Sequence, residues 1–178
     1  MVWLRSPSSL LVRCTLDAQI SPCSLAFDTT PTRIGWDSSV LDPHRPVAEA
    51  RHRSRVWLQQ HWNLADLADP VELAVGELCA NAVRHGDGLA GLELILGSPR
   101  HFAPRVLGVM VIDHAPDRSP ELPGDNDLFS ERGRGLRMVD SLAWRWGWHR
   151  TGFDEKQVWC TFVIEPRWER SGPSSGFR

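Results

Sequence analysis

Between residues 71 and 82 the apolar side chains Val71, Ala74, Val75, Leu78, Cys79 and Ala82 recur at i, i+3, i+4, i+7, i+8 and i+11. That spacing places them on one stripe of an α-helix, and such a helix must lay the stripe on another apolar layer. Asp69 is expected to cap its N-terminus, Pro70 fits the first turn, and Glu72 stands three residues after the cap. Gly86 is expected to stop it in the left-handed conformation.

The second layer is legible further along. Residues 92–96 and 106–112 are short, apolar and β-branched, as buried strands require. Trp144, Trp146 and Trp148 alternate with Arg145, Gly147 and His149, a strand pattern whose tryptophans are read as core or edge packing before a binding surface. A turn over residues 151–155 leads to a last strand at 158–164, and a weaker strand lies near 33–40. A first helix is predicted over 43–62, with Val47, Ala50, Ser54, Trp57 or Leu58, and His61 or Trp62 at helical spacing and Arg51, Arg53 and Arg55 on a solvated face. A third opens at Gly133-Arg134-Gly135, with Leu136, Val139 and Ala143 on one face. Adjacent strands without intervening helices imply an α/β (α+β) two-layer sandwich: a mixed, mostly antiparallel sheet with helices on one face.

The expected organisation is an N-terminal arm at 1–32, one domain at 33–168 and a Ser/Gly/Pro-rich tail at 169–178 that resembles a cloning linker. Net charge is −2, which argues against nucleic acid as the main partner. The four cysteines form no C-x-x-C pair and read as reduced thiols. No apolar run is long enough for a membrane span or signal peptide, so a cytoplasmic location is expected.

Three groups of residues carry chemistry. Glu77, Asn81 and His85 share a helical stripe bordering the buried one. A carboxamide there suits Mg²⁺, which takes few protein ligands beside phosphate oxygens, and a carboxylate beside it suits a general base. Taken alone, the stripe reads more simply as a helix surface. Asp113 ends an apolar strand, where a carboxylate can accept from an exocyclic amine or simply begin a turn. Glycines at 133 and 135 let backbone approach a ligand at a helix start, and Arg132 and Arg134 add charge suited to phosphate. Gly-x-Gly before a helix is also a common accident. The polar stretch 114–132 is long enough to be a lid.

In order, these segments resemble a known family. The run Glu77-Leu78-Cys79-Ala80-Asn81-Ala82-Val83-Arg84-His85 resembles the N box of the GHKL ATPase/kinase superfamily, and more closely that of the bacterial anti-sigma-factor serine kinases and their actinobacterial relatives. Asp113 falls at the adenine-binding aspartate, residues 131–136 at the second glycine box, and Lys156-Gln157-Val158-Trp159 resembles the terminal Lys-x-Val-Trp strand. The resemblance covers roughly residues 43–166. It implies the Bergerat ATP-binding fold, with ATP and Mg²⁺ as cofactors. It assigns Asn81 to the metal, Glu77 to the general base and Asp113 to adenine. Gly133 and Gly135 fall to the phosphates, with Arg132, Arg134, Leu136 and Lys156 around the nucleotide. It implies a serine/threonine kinase acting on a small antagonist protein, with sequestration of a sigma factor and neither nucleic acid nor membrane as partner. A homodimer is left open, and a non-catalytic nucleotide-binding interaction module is the alternative. The sequence departs from the family where Ala115 replaces a glycine two residues after Asp113, which could tilt the adenine site.

Overall fold

The computed structural model describes residues 30–98, 104–121 and 134–164. The arm proposed for 1–32, with its candidate edge strand at 10–16, falls almost wholly outside the described residues, as do Glu131, Arg132, Gly133 and the tail.

Strand β1 (Thr32–Asp37) leads into α1 (Pro46–Gln60), and a short 3-10 turn (Ala65–Leu67) leads into α2 (Ala68–His85). Then come β2 (Leu89–Gly97), β3 (Arg105–Asp113), α3 (Arg134–Leu142), β4 (Arg145–Arg150) and β5 (Lys156–Ile164). The sheet order is β1-β2-β3-β5-β4. Every described pairing is antiparallel, in keeping with the mostly antiparallel sheet expected of the two-layer sandwich.

Alternation sorts the strands into two faces. Leu92, Leu94 and Leu96 of β2, Leu107, Val109 and Val111 of β3, and Val158, Cys160 and Phe162 of β5 join the main core with all three helices. Ile95, Met110 and Trp159 form a second buried cluster on the opposite face. The six stripe residues of α2 are all buried, as their spacing requires. Trp146 and Trp148 pack against the main core, which supports the core reading of the tryptophan stripe.

Local chemistry differs from expectation at several ends. The first helix starts at Pro46, not residue 43, because Asp42 turns the chain: its carboxylate accepts from the His44 N–H at 2.8 Å. No side chain caps α2. Its N-cap is Leu67, and the Asp69 carboxylate accepts from Arg55 at 2.8 Å instead. Glu72 accepts from Arg51 at 2.9 Å and Arg55 at 2.5 Å. The solvated arginine face expected of α1 is thus in part a clamp onto α2, and it holds the Glu72 carboxyl below its ordinary range, Arg55 being the main cause. Burial raises the Cys79 thiol to about 12 and the Cys160 thiol higher, so neither is a reactive group.

Candidate functional site

The inward-facing positions of β3 run Leu107, Val109, Val111, Asp113, and those of β5 run Phe162, Cys160, Val158, Lys156. At one end of the sheet this apolar alternation finishes in a charged pair. Asp113 and Lys156 are direct register partners, and both side chains are only 4% exposed. Lys156 Nζ donates to Asp113 Oδ1 at 2.6 Å and to the Ala115 carbonyl at 2.8 Å. The Ala115 N–H donates to the same Oδ1 at 3.0 Å. Buried charges persist only when so paired and hydrogen-bonded.

Ala115 is part of this closed ring. The only described non-glycine residues at positive φ are Asn63 and Asp87, so Ala115 sits without strain where the family has glycine. Both its backbone polar groups hold the Asp113–Lys156 pair in place.

Gly86 secures the pair from the other side, and not through the left-handed stop expected of it. Its φ is −104°; the left-handed positions after α2 are Asp87 at 55° and Gly88 at 117°. What requires glycine at 86 is close approach: a Cβ there would lie 2.6 Å from Asp113 Cβ and Cγ and 2.7 Å from the Ala82 carbonyl oxygen. The Gly86 carbonyl accepts from the His114 N–H at 2.8 Å, tying the end of α2 to the end of β3.

The Glu77, Asn81, His85 stripe falls where its spacing predicted. Glu77 and Asn81 are half-buried at the edge of the core, and His85 is exposed. Glu77 abuts Gly135 in the first turn of α3, where a Cβ would collide with its carboxylate. A cleft of about 180 Å³ opens between α2, α3 and the sheet. Asn81, Asp113, Leu136 and Lys156 line it together with Leu78, Ala82 and Val158. Glu77 and Gly135 stand beside it without lining it, and Arg134 is exposed at the start of α3.

Sequence reasoning missed Arg118. It lines the cleft, and its guanidinium donates to Asp87 Oδ1 at 2.8 Å and to the His85 carbonyl at 3.1 Å, a cation at the C-terminus of α2. Nothing in the pattern around it marks the residue, since its partners lie more than thirty positions away. Arg118 belongs to the described part of the lid expected over 114–132. Residues 114–121 are pinned by Arg118 to Asp87, by Asp117 to Arg150 and by Ala115 to Lys156. The rest of the proposed lid, 122–132, lies outside the described residues.

The donor set suits a nucleotide with its metal. A buried carboxylate forms the floor, a carboxamide stands on one wall, and α3 begins where bare glycine backbone meets a carboxylate. A two-layer sandwich with these groups at one end of its sheet defines a nucleotide-binding domain. The sequence model of the histidine kinase-like ATPase domain matches residues 41–162, and the chain belongs to that family. No curated protein matches the chain. Among the described residues no helix is long and apolar enough to cross a membrane.

Proposed function

We propose that this ATP-binding regulatory domain is a serine/threonine kinase of the anti-sigma-factor type, which phosphorylates a small antagonist protein and binds a sigma factor in the cytoplasm. The observation that carries the reading is the position of Glu77. A half-buried carboxylate stands one helical turn from Asn81 and against the first turn of α3. ATP with Mg²⁺ would supply the phosphoryl group. Asn81 would hold the metal, Asp113 would accept from the adenine amine, and Gly135 with Arg134 would face the phosphates. Glu77 would take the proton from the acceptor hydroxyl. The four motifs in family order support the anti-sigma-factor assignment, and the unstrained seat of Ala115 weighs against a non-catalytic module.

The test is capture of partners from a host lysate with MgATP present, followed by radiolabel transfer and phosphosite mapping. Serine or threonine phosphorylation of a small captured protein is the expected result. A partner that binds in an ATP-dependent manner yet never receives phosphate would establish the non-catalytic module instead.

A further inference from the structure

Asp113 does not stand alone at the floor of the cleft. Its Oδ1 already accepts two hydrogen bonds, from Lys156 Nζ at 2.6 Å and from the Ala115 N–H at 3.0 Å. Among the described residues no donor reaches Oδ2. An ammonium group carries three N–H donors. Lys156 uses one on Asp113 and one on the Ala115 carbonyl, which leaves a third. Both residues line the cleft. The floor therefore offers a ligand two adjacent functions: one acceptor, Oδ2, and one charged donor.

We propose that Lys156 is a second base-reading residue of the site, donating its remaining N–H to the ring N1 of adenine while Asp113 Oδ2 accepts from the 6-amino group. The inference rests on the nucleotide-binding reading above and deepens it. Adenine presents a donor, the amine, next to an acceptor, N1, which complements the floor. Guanine and hypoxanthine present the reverse order, with O6 an acceptor and N1–H a donor. In the same pose each would set an oxygen against Asp113 Oδ2 and an N–H against the Lys156 ammonium. A carboxylate alone opposes only the first of these contacts. The pair opposes both, and in a site this dry an unmade or opposed contact to a charged group is expensive. The two backbone bonds from Ala115 fix which oxygen and which N–H remain, so the order of donor and acceptor is built into the fold.

The experiment uses the full-length wild-type chain in Mg²⁺ and four nucleotides: ATP, 1-deaza-ATP, 7-deaza-ATP and ITP. Calorimetric affinities are expected to fall about tenfold or more for 1-deaza-ATP, as for a hydrogen bond to a charged group. They should stay within about twofold of ATP for 7-deaza-ATP and fall furthest for ITP. In Lys156→Met, ATP and 1-deaza-ATP should bind equally, whatever the overall affinity. ATP and 1-deaza-ATP binding the wild type equally would overturn the role of Lys156 while leaving nucleotide binding intact. So would a 1-deaza penalty that persists in Lys156→Met, or an equal loss with 7-deaza-ATP. Binding of no adenine nucleotide at all would instead remove the nucleotide-site reading itself. Equal binding of ATP and 1-deaza-ATP by the wild type overturns the role of Lys156 even if the Met variant fails to fold.

Discussion

Gly135, in the first turn of α3, lies so close to the Glu77 carboxylate of α2 that a single added methyl group would collide with it. Glycine to alanine in a helix ordinarily stabilises by about 0.4–1 kcal/mol. Here the new carbon must displace the Glu77 carboxylate, the free end of a flexible side chain, so the cost to stability is small, enough to offset that ordinary gain, and the main effect falls on where the carboxylate points. Gly135→Ala is therefore expected to gain no melting temperature and to lose ATP affinity and phosphotransfer together. Scanning calorimetry and nucleotide titration check this, and a stabilised variant with unchanged ATP binding would show that the contact is incidental.

Glu77→Gln should separate binding from chemistry. It keeps the shape of the side chain and removes its basicity. A general base is worth about 10²–10⁴-fold in rate and little in ground-state affinity. The variant is expected to bind ATP within a few-fold of wild type and to lose transfer to the captured partner by that factor. Transfer at the wild-type rate would mean that Glu77 is not the base.

Asn81 lines the cleft from the α2 wall, so Asn81→Ala should act on the metal-dependent part of affinity. Loss of a contact to a charged group predicts a drop of about 1.5–3 kcal/mol in ATP binding. The drop should be seen with Mg²⁺ and largely vanish in EDTA. Equal loss in both conditions would assign Asn81 to the nucleotide alone.

Gly86→Ala tests the seat of Asp113. The added carbon would lie 2.6–2.7 Å from the Asp113 side chain and the Ala82 carbonyl, and that carbonyl cannot move without breaking α2. The variant should be less stable by about 1–3 kcal/mol and bind ATP more weakly. Denaturant unfolding and titration on the same preparation measure both, and a variant as stable as wild type would refute the close-approach account.

Stability should fall in acid in two stages. Burial lowers the His149 pKa from its ordinary 6.5, and Arg55 and Arg51 lower that of Glu72 from 4.5. Both folded-state values lie below the unfolded ones, so each contribution is fully present above the ordinary value and lost as pH falls through the folded one. A first loss should begin below pH 6.5 and a second below pH 4.5. Glu72→Gln should be less stable than wild type near pH 7, with the difference shrinking below pH 4.5. A difference independent of pH would mean that the Arg51–Glu72–Arg55 contacts add no charge-dependent stability.

The elements themselves were open to reading because their information is local. Helical spacing marks the α2 stripe, alternation marks the strands, and both depend only on the geometry of a single element burying one face. The Glu77 and Asn81 stripe was legible for the same reason, since its members are one turn apart. Element ends were less so. Asp69 suits a cap by composition, yet Arg55 from another helix takes its carboxylate. Gly86 suits a left-handed stop, yet its glycine answers to Asp113, a residue on another element. What tertiary structure alone decided is the floor of the site. Lys156 and Asp113 are 43 residues apart, and only the antiparallel register of β3 against β5 makes them partners. No local pattern encodes that register, because it arises from the packing of the whole sheet against its helices. Through it a lysine that begins a strand and an alanine that replaces a glycine become parts of one buried hydrogen-bonded ring.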